Sequence, residues 1–139
     1  MKQLLDKYQH LDPGYNPFLI TPTWQVAQLN FSEDQLIENI NRVDIHHHTD
    51  EVFILLVGEA VLITAEVEGA QIAFQGDQME HGITYNVPEK TWHNIAMKAG
   101  SKVIIVEDSN THLGDFEFYD LNEDQKRALI ALVTNKFEL

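Results

Sequence analysis

The sequence predicts an all-β protein: one small antiparallel barrel or sandwich, preceded by a short arm and followed by a helix. Two patterns carry that expectation. About nine short runs rich in β-branched and aromatic residues follow one another at spacings of roughly 8–12 residues, parted by Gly, Pro, Asn and Asp. Sustained helical periodicity is found in the tail, where Ala128, Leu129, Leu132 and Val133 recur at i, i+1, i+4, i+5, outside the run of short strands. With 139 residues, 44% apolar and 22% charged, the chain makes one domain. The expected division is an arm over 1–22, a barrel over 23–120 and a helical end over 121–139.

Charge excludes some partners. Nine Lys+Arg against 22 Asp+Glu leave a net charge of −13, which repels polyanions, so nucleic acid and anionic membrane surfaces are not expected. No cysteine is present, which removes disulfides, thiolate metal ligands and thiol nucleophiles. No apolar stretch approaches the ~20 residues of a membrane span and Met1 to Leu11 lacks a signal-like apolar core, so the expected location is the cytoplasm.

In chain order, Leu4, Leu5 and Tyr8 have helical spacing before a turn at Asp12-Pro13-Gly14. Thr23 to Asn30 is the first expected strand, and Ser32 to Gln35 matches a capping box that should open one helical turn. Extended structure should resume near Glu38. Glu51 to Val57 and Glu59 to Glu66 form a hairpin about Gly58, with continuously apolar strands expected to be buried on both faces. Gln71 to Gln75 is a short strand before a turn at Gly76-Asp77; Ile83 to Val87, Thr91 to Met97, Lys102 to Glu107 and Phe116 to Tyr119 complete the set. The last helix should run from Glu123 to about Asn135 with Asn122 as N-cap.

Potential ligands are densest from Asp44 to Glu51, where Asp44, His46, His47, His48, Asp50 and Glu51 abut a long apolar run. Strand alternation puts Val43, Ile45 and His47 on one face and Asp44, His46 and His48 on the other, and periodicity alone turns the Val43 face inward. Glu51 opens seven residues with no other charge, and an unpaired carboxylate buried there costs several kcal/mol, so it calls for a metal, a base or a donor. His47 and His48 also read as a solvated turn, and Asp44 as a turn cap or a partner of Arg42.

Asp44-x-His46-x4-Glu51-x6-Gly58, followed by Gly82-x5-Pro88-x-Lys90-x2-His93, resembles the two signature motifs of the cupins, over Val43 to about Val106. The spacings Glu51 to Gly58 and Gly82 to Pro88 to His93 match. Asp44 stands where the pattern has its first His, Lys90 where it has Gly, Met97 where it has Asn, and no Gly lies six residues before Asp44. The resemblance implies a jelly-roll barrel, a common dimeric habit, and a divalent metal (Mn, Fe, Ni or Zn) held inside by Asp44, His46, Glu51 and His93. A second register pairs Ile45 with His47 ahead of Glu51 and is supported by the Val43–Ile45 alternation.

Two function classes remain open. One is a pocket that binds a small polar molecule, sugar or organic acid, beside the metal; the other is a metal-dependent isomerase, lyase or oxygenase in which Glu51 or His93 handles a proton, and a metal-free ligand-binding or structural barrel is the further alternative. His48, Tyr85, Lys90 and Trp92 are the candidates for the pocket wall, with Lys90 able to meet an anionic group at its mouth. A homodimer is expected, because Tyr15 to Ile20 is apolar without an evident internal role. Metal affinity should fall below about pH 6.5, where an ordinary imidazole takes up a proton.

Overall fold

A computed structural model describes residues 1–139. Ten strands form two five-stranded antiparallel sheets. They are β1 (Gly14–Ile20), β2 (Trp24–Asn30), β3 (Arg42–Ile45), β4 (Glu51–Val57), β5 (Ala60–Glu68), β6 (Gln71–Gln78), β7 (Thr84–Val87), β8 (Trp92–Met97), β9 (Lys102–Asp108) and β10 (Glu117–Asp120). One sheet has the order β1-β2-β9-β4-β7 and the other β10-β3-β8-β5-β6. A short helix α1 (Thr111–Gly114) precedes β10, and α2 (Glu123–Phe137) ends the fold. No helix is long and apolar enough to cross a membrane.

The inner faces meet in a core that includes Leu29, Phe53, Leu55, Leu62, Ile95, Met97, Val103 and Ile105. Residues of opposite parity on β5 and β8, namely Val61, Ile63 and Ala96, join Leu129 and Val133 of α2 in a second core on the outside of their sheet. The β5 run is therefore buried on both faces, as its continuous apolarity predicts. The β4 run is not: Glu51, Phe53 and Leu55 are buried, whereas Leu56 and Val57 are about half exposed, because no helix covers that sheet.

Several expected boundaries move. The barrel begins at Gly14, not Thr23: β1 pairs with β2 from Gly14–Asn30 to Ile20–Gln25, so the segment from Tyr15 to Ile20 has an internal role. Ser32 makes no capping bond, and two 3-10 turns (33–35 and 37–39) occupy the connection, delaying extended structure to Arg42. No turn forms at Gly76; β6 runs straight through it, paired with Ile63. A Cβ there would lie 3.4–3.6 Å from Val61, Lys136 and Leu132, ordinary contact distances, so Gly76 sits where α2 packs on the sheet without a turn requiring it. Gly58 has φ +90° and a Cβ there would come within 2.7 Å of Ser101 Cα, which only glycine avoids. α2 begins with the expected cap: the Asn122 side chain accepts from Gln125 N–H, and the Gln125 side chain accepts from Asn122 N–H.

Candidate metal centre and cavity

Asp44, His46, Glu51 and His93 converge between the sheets. Asp44 on β3 pairs in register with His93 on β8. Glu51, the first residue of β4, reaches across from the other sheet. Its Oε2 lies 2.6 Å from His93 Nε2 and 3.0 Å from His46 Nε2. Asp44 Oδ2 sits farther out, 3.6 Å from His46 Nε2 and 3.7 Å from His93 Nε2. Three of the four are buried and Asp44 is half-buried.

The register in which Asp44 and His46 face the cavity is the one observed. Val43 and Ile45 are buried as well, on the opposite face of β3. His47 lies near Glu117, Nε2 to Oε1 3.5 Å, away from the convergent group.

Backbone carbonyls fix both imidazoles. His46 Nδ1 donates to Asp115 O at 2.6 Å and His93 Nδ1 to Thr91 O at 2.9 Å. With the Nδ1 proton committed, a neutral ring turns the lone pair of Nε2 toward Glu51 and Asp44, the arrangement a metal-binding imidazole requires. The Asp115 carboxylate accepts from the backbone N–H of His47 and of His48 at 2.9 and 3.0 Å, so one residue clamps the whole histidine run. Burial works against the Asp115 charge, but those two donors win and lower its pKa.

Four polar groups at such distances control each other's protons. Burial alone would lower His46 and His93, yet the hydrogen bonds to Glu51 and its charge outweigh that and raise both to about 9. Burial would raise Glu51, and the same two imidazoles pull it down to about 2. Asp44 goes the other way, raised mainly by burial and only partly offset by the charge on His93. The shifts of His46, His93 and Glu51 share one cause: two imidazoles and a carboxylate within hydrogen-bond distance favour each other's charged forms. Two imidazoles and two carboxylates match the donor set of Mn, Fe, Ni or Zn, and the tied tautomers fit it.

The cavity beside this group has a volume of about 350 Å³ and is lined by 15 residues. None of His48, Tyr85, Lys90 and Trp92 is among them. The His48 side chain is 85% exposed and held by Asp115. Tyr85 packs against the inner core and its hydroxyl accepts from Glu80 N–H. Trp92 has the parity opposite to His93 and packs on Tyr119. Lys90 is exposed, and its backbone, φ +63°, donates to His46 O at 2.7 Å. That left-handed turn is what a glycine serves at this motif position.

The wall is completed instead by Tyr15, Glu107, His112, Phe116 and Phe118, among others. Glu107 on β9 accepts from Tyr15 Oη at 2.7 Å and from Gln25 Nε2 at 3.0 Å, both at Oε1. Burial and the charge of Glu51 raise its pKa, against the lowering effect of those donors. Burial, followed by the Glu107 charge, raises the Tyr15 phenol well above its ordinary value. Parity carried a signal for Glu107, since it continues the inward series Val103 and Ile105.

Solved structures share this architecture. The chain superposes on a cupin superfamily protein from Desulfitobacterium hafniense over 76% of its own length and 84% of that chain, with a TM-score of 0.51 and 18% identity. This is the cupin fold. A Streptomyces protein, PAC13 in a Tyr-to-Phe variant, solved with uridine, aligns over 86% of this chain and 96% of its own, at 10% identity and a TM-score of 0.55. The TDP-quinovose 3,4-ketoisomerase WlaRB of Campylobacter jejuni aligns over 73% and 72%, at 13% identity and a TM-score of 0.51. No family model and no curated protein matches the sequence. The four motif-derived residues and Glu107 all line the same cavity between the sheets.

Proposed function

We propose that the chain binds one divalent transition-metal ion through Asp44, His46, Glu51 and His93 and holds a small polar molecule, sugar or organic acid, in the adjoining cavity. The observation that carries this is the convergence of His46 Nε2 and His93 Nε2 on Glu51 Oε2 at 3.0 and 2.6 Å, with each ring's Nδ1 tied to a carbonyl. Ion pairs of this density inside a protein are costly to desolvate, and an ion that neutralises both carboxylates removes that cost. When bound, the ion would supply a Lewis acid for a ligand oxygen. Asp44 contributes a second negative ligand, so the ion is more fully neutralised than by three imidazoles and one carboxylate, and harder ions are favoured.

An isomerase, lyase or oxygenase activity is compatible with the same pocket. In either case Glu51 and His93 serve as ligands, and the atoms that hold the ion are not free to carry a proton.

Binding must displace the protons on His46 and His93, which are held up to about 9. Affinity therefore declines as pH falls below about 9, rather than below the 6.5 of an ordinary imidazole, by up to about a hundredfold per pH unit if two protons leave. Elemental analysis of the purified protein should return close to one metal per chain, and His93→Ala should remove it. A wild type that takes up no Mn, Fe, Ni or Zn at pH 8, or a Kd independent of pH between 6 and 8, contradicts the proposal.

A further inference from the structure

Beside the convergent group the cavity has a second polar pole, centred on Glu107. This residue is only 6% exposed. Its Oε1 accepts from Tyr15 and Gln25, while its Oε2 is buried with no hydrogen-bond partner in the protein. Native proteins rarely leave such an oxygen unpaired, so it asks for a ligand. Potential ligand atoms of His46, Glu51 and Glu107 lie within 4.8 Å of one another, yet Glu107 bonds to neither of the other two. One ligand atom between them spans that gap.

The rest of the pole is oriented by hydrogen-bond accounting. Gln25 Oε1 accepts from Asn110 N–H at 2.7 Å, so its Nε2 is the atom facing Glu107 and, at 3.1 Å, His112 Nδ1. His112 Nδ1 is then an acceptor, and its proton resides on Nε2. The wall thus carries an open acceptor at Glu107 and a donor on the His112 ring.

Charge decides what kind of molecule suits it. Three carboxylates (Asp44, Glu51, Glu107) line the cavity and no Lys or Arg does. Arg42, at the edge, lies over the Phe118 ring, 3.7 Å from its centroid, and is not on the wall. An ion balanced by Asp44 and Glu51 leaves nothing to attract an organic anion past Glu107. A hydroxyl suits the site whichever proton state Glu107 adopts, since it donates to a carboxylate and accepts from a carboxylic acid. Phe116 and Phe118, ring centroids 5.2 Å apart, add an apolar surface of the kind on which the C–H face of a sugar packs.

We infer that the cavity selects a neutral polyhydroxylated molecule, a sugar or polyol rather than an organic acid, with Glu107 Oε2 bound to one of its hydroxyls. This rests on the proposed metal-linked ligand pocket and narrows its ligand class. At about 350 Å³ the space is at the small end of ligand sites, which run from about 300 to 1,000 Å³.

The test uses the zinc-loaded full chain, with metal content measured in every sample and binding read by amide chemical shifts. Xylitol and glucose are compared with xylonate, which adds a carboxylate to a similar carbon skeleton. The wild type should bind a neutral probe at least about tenfold more tightly than xylonate. Glu107→Leu should weaken the neutral probe about tenfold. Glu107→Gln, which keeps the shape and can still meet a hydroxyl, should narrow the preference by admitting xylonate. Tighter binding of xylonate by the wild type, no saturable shift with either neutral probe, or an unchanged preference in Glu107→Gln overturns the inference. A wild type that holds no metal but prefers the neutral probes sinks the metal reading and leaves this one standing.

Discussion

Glu51 and Glu107 sit on neighbouring strands, each one step beyond the Val52–Val106 pair of the β4–β9 ladder, and both are more than nine-tenths buried. Their surroundings part them. Glu51 faces two imidazoles and is held down to about 2, a permanent charge. Glu107 faces a phenol and an amide, neutral donors whose hydrogen bonds do not offset burial and the Glu51 charge, so its pKa is raised instead. Residue type and burial are the same, so the partners set the chemistry: one carboxylate is fitted to a cation and the other to a hydroxyl. Neighbours, more than depth, decide what a buried acid does.

The largest effect should come from breaking the charged pole without metal. Glu51→Ala leaves two imidazoles buried with no counter-charge except Asp44, which should cost roughly 3 kcal/mol, the scale for breaking a buried ion pair. Its pH dependence has a definite sign. His46 and His93 are raised on folding, so their contribution is complete below about 6.5 and is lost as pH rises through about 9. Glu51 is lowered, so its contribution is complete above its ordinary value and is lost as pH falls toward 2. Urea unfolding of the metal-free protein should show the Glu51→Ala deficit greatest near pH 5–6 and much reduced at pH 10; a deficit independent of pH would mean that the cluster is not charged as described.

A smaller effect is expected at the neutral pole. Tyr15→Phe removes one donor from Glu107 Oε1 and leaves Gln25, a loss of about 1 kcal/mol in thermal or urea unfolding. A loss as large as that of Glu51→Ala would erase the contrast between the two carboxylates.

The sequence revealed the charged pole and concealed the neutral one, for physical reasons. Glu51 and His93 lie in motifs of fixed spacing, and Glu51 opens an uncharged run, so burial without a partner is untenable. Glu107 continues the inward series Val103 and Ile105, but Asp108 follows it and the pair looks like the polar end of a strand. Tyr15 was hidden because Pro17 and the Asp12-Pro13-Gly14 turn suggest an arm, whereas β1 accommodates Pro17 where its register with β2 shifts between Asn16 and Leu19. His112 and Asp115 come from the connection between β9 and β10, where α1 is only four residues long and too short for a periodicity to point inward. Alternation also misled at β3: apolar Val43 and Ile45 are buried, yet the cavity belongs to Asp44 and His46, because both faces of that strand are covered. Trp92 shows the converse, since its parity against His93, Ile95 and Met97 already turns it outward.

The contrast is tested most directly by metal affinity in two matched variants. Glu51→Gln and Glu107→Gln each replace a buried carboxylate by its amide, one strand apart, and each is titrated with Mn and Zn at pH 8 beside the wild type. Glu51→Gln should lose at least about a hundredfold in affinity, on the scale of a lost metal ligand or its partner, whereas Glu107→Gln should stay within about threefold of the wild type. Equal losses in the two variants, or no loss in Glu51→Gln, would contradict the assignment of the cation to Glu51 and of the hydroxyl to Glu107.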